Sequence, residues 1–213
     1  MPEEQRPYHH GNLVPTLIET TIQLIEEMGV EKVTVREVAK RSGVSPGAPF
    51  RHFKSKSALL TAVAEQAVER LYEAVTAAQD PALENDPLAQ LERIGQGYLA
   101  WVRTHPTHFQ IVSDRKLIDF QSSEISTTLN ARIRVRMVHL LTRARDEGHL
   151  APGQDIETIV LNCRAMVYGL SRMYTDGHFH DWQPDGAPFD WMKRGLSAFI
   201  ARLRAEPARP QRP

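Results

Sequence analysis

The sequence predicts an all-α protein of about nine helices. Apolar residues recur at three- and four-residue spacing along most of the 213 residues, and no stretch alternates apolar with polar side chains as a half-buried strand would. Ser, Thr or Asp precedes most of the periodic runs and Gly follows several of them, as helix caps do. Apolar residues make up 41% of the chain and charged residues 24%, ordinary values for a globular protein large enough to bury a substantial core. No apolar run approaches the roughly 18 residues of a spanning helix, and the N-terminal MPEEQRPYHHGN lacks the apolar centre of a signal peptide. A cytoplasmic protein with no membrane partner is expected. The single cysteine, Cys163, excludes an internal disulfide or a cysteine-built zinc site and reads as a small buried hydrophobe.

In chain order, Leu13, Leu17, Thr21, Leu24 and Met28, with Ile18, Ile22 and Ile25 beside them, predict a first helix. It is opened by Gly11-Asn12, tolerates Pro15 in its first turn and ends at Gly29. Thr34-Val-Arg-Glu37 fits a capping box before a short second helix that stops at Ser42-Gly43. Ser45 as N-cap and Pro46 as first residue predict a third helix reaching only Arg51 or His52, short and distorted because Pro49 removes a hydrogen bond. Ser55 caps a fourth, whose Leu59, Leu60, Val63, Ala67, Leu71 and Val75 form a stripe to about Ala78. Asp86-Pro87 opens a helix to about Thr104, and His105-Pro106 a short one through Ile111. A long helix follows from Ile125 to Ala144, closed by Gly148. Asp155 caps the next, through Met173, and the last runs from about Phe189 to Leu203. The remaining AEPARPQRP reads as a disordered tail.

The formal net charge is zero, but it is unevenly spread. Between Lys32 and Lys56 seven cations (Lys32, Arg36, Lys40, Arg41, Arg51, Lys54 and Lys56) stand against Glu37 alone, which localises any polyanion-binding surface to this quarter of the chain. Two short helices separated by RSGV have the layout of a helix-turn-helix, whose second member enters the DNA major groove, although such corners also occur as plain packing units. Gly47 and Ala48 would let that backbone approach base edges, with the cations gripping phosphates. Backbone donors at Thr34 and Ser55 could join them. The candidate DNA-contacting set is Thr34, Arg36, Val44, Ser45, Pro46, Gly47, Ala48, Phe50, Arg51, His52, Lys54 and Lys56. His9 and His10 either touch the DNA backbone or are simply solvated.

The segment GVEKVTVREVAKRSGVSPGAPFRHFKSKSALL, carried by Gly29, Thr34, Val35, Glu37, Val38, Ala39, Gly43, Val44, Ser45, His52, Phe53, Lys56 and Leu59, resembles the DNA-binding domain of the tetracycline-repressor (TetR) family of bacterial transcription regulators. The resemblance runs from Asn12 to about Ala67, and YHHGNL is similar to the opening of one subgroup of that family. It implies a homodimeric, ligand-released repressor with a DNA-binding domain at 1–55, a connecting helix at 56–80, a ligand-binding and dimerisation domain at 81–205 and a tail at 206–213. Two departures stand out. Phe50 replaces the family's usual tyrosine and its phosphate-contacting hydroxyl, and Arg164, Tyr168 and Gly169 stand where the subgroup often carries Trp-x-x-x-His-Gly.

In the second half, the helix around Ile159 to Leu170 is apolar nearly all round, which suggests a surface covered by a second subunit, the alternative being a buried core helix of a monomer. Ile159, Cys163, Met166 and Leu170, with Met192, Leu196, Phe199 and Leu203 of the last helix, form the expected dimer interface. Tyr98, Trp101, Phe109, Met137, Met166, Tyr168 and Met173 offer a lining for a small, mostly hydrophobic molecule, or are simply core. No cofactor is implied and no nucleophile elbow or phosphate-cradling loop occurs. The rival class is a small helical enzyme or metal-binding protein using His105 and His108, or His178 and His180; a ligand-binding module with a vestigial DNA head is a third possibility.

Overall fold

The computed structural model describes residues 13–182 and 185–205. Among them are nine α-helices: α1 (Leu13–Met28), α2 (Val35–Arg41), α3 (Lys56–Ala77), α4 (Pro87–Thr104), α5 (Pro106–Ser113), α6 (Glu124–Asp146), α7 (Ile156–Thr175), α8 (Phe179–Trp182) and α9 (Pro188–Ala201). The only β-pairing among the described residues is an isolated antiparallel bridge between Leu150 and Arg204. The expected Gly11-Asn12 opening, His9 and His10, and the tail at 206–213 lie outside the described residues.

The capping residues read from the sequence do what their chemistry requires. The side chains of Thr34, Ser55, Asp86 and Asp155 accept from the amides of Glu37, Ala58, Ala89 and Thr158, each satisfying a donor that a helix start leaves without a partner. Prolines 87, 106 and 188 occupy first turns, where no N–H is needed. At the C-termini of α2 and α6 the chain reverses through glycines with positive φ, Gly43 at 69° and Gly148 at 76°. After Gly43 the Val44 amide bonds the Ala39 carbonyl at 3.0 Å, closing a Schellman turn.

One expected element is absent. Instead of a third α-helix from Pro46, the chain makes turns and a single 3-10 turn at Pro49–Arg51. Pro49 has no N–H to give the Ser45 carbonyl, which accepts from Ala48 at 2.9 Å, and the Ala48 carbonyl accepts from Arg51 at 3.2 Å. The single turn α8, unread in the sequence, takes its place in the count.

Two hydrophobic cores share α3. Its first half, with Leu59, Leu60 and Val63, packs into a core with α1, α2 and Phe53 that also takes Ile111, Ile118 and Phe120. Its second half, with Leu71 and Val75, joins α4, α6, α7 and α9 in the other. The α3 and α4 backbones nearly touch at Gly97, where a Cβ would stand 2.7 Å from the Ala74 carbonyl oxygen and 3.0 Å from the Val75 Cα. The chain's end is clipped to the α6–α7 loop: the Ala151 amide bonds the Leu203 carbonyl at 2.9 Å and the Ala205 amide the His149 carbonyl at 2.8 Å. Arg204 also reaches Asp86, the cap of α4, at 2.9 Å.

Polar contacts fasten the smaller core to α5 and the loop after it. Thr107 donates to Glu26 at 3.0 Å, Ser57 to the Leu117 carbonyl at 3.2 Å, and the Asp119 amide to the Thr61 hydroxyl at 3.0 Å. His108, buried, holds Nε2 3.1 Å from the Gln66 side-chain oxygen and 3.4 Å from the Arg70 guanidinium. Burial, with the Arg70 charge beside it, pushes the His108 imidazole down to about 4 from an ordinary value of 6.5.

Gly97→Ala should lower the denaturation midpoint despite alanine's helix-propensity advantage of about 1 kcal/mol, because backbone must move; overpacking of this kind costs about 1–3 kcal/mol. Gly95→Ala should cost less, since its new methyl meets only the mobile end of Leu196, at 2.7 Å. Urea titrations of both variants check this. Between pH 6.5 and 4 the unfolded chain binds a proton that folded His108 refuses, so its contribution to stability falls as pH is lowered through that window, by about 3 kcal/mol in all. His108→Gln should flatten this part of the profile, measured as the wild-type minus variant difference.

Candidate nucleic-acid interface and bundle cavity

The corner between α2 and α3 is held from behind. Arg41 makes a bidentate pair with Glu27 at 2.8 Å on both arms, Ser42 donates to Thr20 at 3.0 Å, and Pro49 and Phe53 are buried beneath the turn. The Arg41 guanidinium holds the Glu27 carboxyl below the usual carboxylate range. This arrangement presents Ser45, Pro46, Gly47, Phe50, Arg51, His52 and Lys54 outward, with Phe50 48% exposed, while Val44 and Ala48 are half-buried. Gly47 has nothing within 4 Å of where a Cβ would stand and no left-handed backbone. Its lack of a side chain serves neither packing nor backbone geometry.

The cations divide by role. Lys32, Arg36, Lys40, Arg51 and Lys54 are exposed and make no ion pair among the described residues. Arg41 is committed to Glu27. Lys56, placed by its sequence position among the phosphate contacts, turns inward: its Nζ donates to the carbonyl of Val30 at 2.6 Å and is 3.3 Å from that of Glu31, tying the α1–α2 loop to the start of α3. Thr34 spends its hydroxyl on the α2 cap.

A cavity of about 510 Å³ opens between α3, α4, α6 and α7. Leu71, Ile133, Met137 and Val160 line its apolar side, buried Tyr98 and the exposed Arg164 border it, and Arg134, ion-paired with Glu157, also lines it. A recess of about 40 Å³ continues from Tyr98, Met137 and Arg164 toward Val75, Ile94 and Leu196. Of the lining residues expected from the sequence, Tyr98 and Met137 are in place. Trp101 and Phe109 stand behind Tyr98 as a fully buried aromatic cluster, 5.8 Å and 6.4 Å from it between ring centroids, and Tyr168 packs on Phe109 at 5.8 Å. Met166 and Met173 lie off the cavity, half-buried. Arg164 and Glu157 could have been found from their spacing to Leu161 and Tyr168, which shares one flank of a helix.

The expected dimer-interface set needs correction. Ile159, Cys163, Met192, Leu196 and Leu203 are buried within a single subunit and have no surface left for a partner, while Met166, Leu170 and Phe199 are half-buried. The helix looks apolar all round because three flanks differ in purpose: one faces the core, one carries Leu161, 67% exposed, at the cavity, and one carries Asn162, Met166, Gly169 and Met173. Burial pushes the Cys163 thiol up to about 12, so it is an unreactive core residue.

Neither histidine pair gathers further ligand-type side chains around it among the described residues. His105 and His108 stack edge to face at 5.5 Å, His178 and His180 are exposed, and no group of three His, Cys, Asp or Glu among the described residues could hold an ion. No helix among them is long and apolar enough to cross a membrane.

Residues 17–63 match the family model described as bacterial regulatory proteins, tetR family, and residues 91–196 the tetracyclin repressor-like C-terminal domain. The chain is 36% identical over 81 residues to the HTH-type transcriptional regulator BetI of Yersinia pestis, a match spanning 38% of this chain and 41% of that relative. A protein of unknown function from Rhodococcus sp. RHA1 superposes with a TM-score of 0.74 at 26% identity, covering 95% of this chain and 100% of the other. A tetR-family regulatory protein from Rhodococcus RHA1 shares the fold, with a TM-score of 0.72 at 18% identity and coverage of 92% and 100%.

Lys56→Met should destabilise the protein by about 1–3 kcal/mol by stripping a charged donor from two carbonyls, whereas Lys54→Ala should leave stability within about 0.5 kcal/mol. Thermal unfolding of the two variants distinguishes them.

Proposed function

The chain belongs to the tetR family of bacterial regulatory proteins, and on that premise we propose a homodimeric repressor that reads a palindromic operator with the Ser45–Lys54 tip and releases it when a small, mostly apolar molecule fills the bundle cavity. The observation that carries the DNA reading is Gly47: a bare position on an outward turn, with no internal reason for its size, ringed by unpaired cations. Such a turn can approach base edges closely, while Arg36, Arg51 and Lys54, helped by Lys32 and Lys40, neutralise phosphates on either side. Phe50 offers an apolar contact, suited to a thymine methyl or a sugar face, where a hydroxyl would bond phosphate.

Support for ligand response comes from α3. The helix that carries Leu59 and Leu60 into the core beneath the tip also presents Leu71 and Val75 to the cavity and its recess. A molecule wedged against α6 and α7 would displace that helix and change the separation of two reading heads, which must span half-sites about 34–36 Å apart. A coupling of about 1–3 kcal/mol is enough to release DNA. For the second subunit, the flank of α7 with Asn162, Met166, Gly169 and Met173 offers one bare position, Gly169, at which a helix can approach closely, between two adaptable methionines.

Fluorescence anisotropy with DNA from the gene's own upstream region, against scrambled competitor, tests the reading head. Wild-type protein should bind selectively with a steep salt slope, Lys54→Ala should reduce that slope by about 1, and Gly47→Leu should abolish selective binding without changing thermal stability. Undiminished binding by Gly47→Leu would remove the tip from the interface.

A further inference from the structure

We propose that the cavity is built for an amphipathic organic carboxylate, its anionic head on Arg164 and Tyr98 and its apolar body directed toward the recess between α3, α4 and α9. The inference deepens the ligand-responsive reading above and rests on it. Two guanidiniums stand on the cavity wall, and they differ in what balances them. Arg134 is paired with Glu157 at the rim, whereas Arg164 makes no ion pair among the described residues. Arg164 sits with its guanidinium 5.2 Å from the centroid of the Tyr98 ring and lines both the cavity and its recess. It therefore stands where the open chamber meets its apolar end.

The surroundings reinforce one sign of charge. Arg115, stacked 3.4 Å over Phe120, is held below the usual guanidinium range by desolvation and by the nearby Arg164 charge. Arg115 lies outside the cavity lining and both guanidiniums are exposed, so it adds to the positive field that Arg164 sets at the cavity rather than to the site itself. Burial of Tyr98 pushes its hydroxyl above the ordinary phenol range, so it remains a protonated donor. Beyond this polar junction the recess of about 40 Å³ is walled by Val75, Leu91, Ile94, Leu196 and Ile200, which offer a head group nothing and take only the tip of an apolar body that otherwise lies along Leu71, Ile133, Met137 and Val160. A cation would meet Arg164 directly, and a neutral hydrophobe would gain nothing from this exposed guanidinium, whereas a carboxylate would pair with it.

The test uses the full-length dimer and three probes that share one apolar body: decanoate, 1-decanol and decylamine, titrated by calorimetry with and without bound operator. Decanoate should bind at one per subunit and at least tenfold more tightly than 1-decanol, with decylamine weakest. Arg164→Met should erase that preference while leaving 1-decanol binding and the melting temperature unchanged, and Arg164→Lys, which keeps the charge, should retain most of it. Equal affinities for decanoate and decanol, a preference for decylamine, no binding of any probe, or an unaltered preference in Arg164→Met each overturn the proposal. Decanoate binding that leaves the operator bound would instead refute ligand release while upholding the carboxylate site, and operator release by decanol alone would do the reverse.

Discussion

The structure depends on one helix belonging to two cores at once. α3 starts at the Ser55 cap beside the 3-10 turn and ends against α4, and each half is buried by a different set of neighbours. Its position is fixed at the far end by steric exclusion, because the α3 and α4 backbones meet at Gly97 with no room for a methyl group. It is fixed at the near end by Lys56, whose amine grips the α1–α2 loop. A rigid bar held this way has few independent motions. Displacement at Leu71 has to be shared with Leu59 and Leu60, which turns two small domains into one coupled object.

Polar contacts between α5 and the smaller core decide how far that coupling extends. Glu26 with Thr107 and Gln66 with His108 join α1 and α3 to α5, and Ser123 donates to Glu65 at 2.8 Å at the start of α6. These are hydrogen bonds worth about 1 kcal/mol for the neutral pair and about 1.5–3 for the two to carboxylates, set around a hydrophobic seam formed by Ile111, Ile118 and Phe120. A joint of this kind defines an orientation without the depth of burial that fixes either core.

The parts of the fold governed by local chemistry were legible in the sequence. Thr34, Ser55, Asp86 and Asp155 mark helix starts because a cap needs only its own next turn, and Gly43 and Gly148 mark ends because positive φ is a property of one residue. The third helix expected from Ser45-Pro46 is only a 3-10 turn in the structure, since one N–H missing at Pro49 is enough to break so short an element. Contacts across many residues were not legible. Lys56 has the composition of a phosphate ligand, and only the approach of Val30 from 26 residues away shows that its amine is occupied. Likewise, Ile159 and Cys163 follow the same periodicity whether they face a partner or their own core. Arg164 stood out only as a departure from a motif, and its place above Tyr98 required the packing of α4 on α7.

The clip between the α6–α7 loop and the residues after α9 has a mechanical consequence. Because Leu203 and Ala205 are hydrogen-bonded to Ala151 and His149, and Arg204 to Asp86, tension on the C-terminal end does not run into α9 alone. It divides between the loop ahead of α7 and the first turn of α4, two of the helices that wall the cavity. A load there strains the chamber before it reaches the α2–α3 corner, so a pull applied at residue 205 falls on the half of the molecule that holds the cavity rather than on the half that carries the exposed turn.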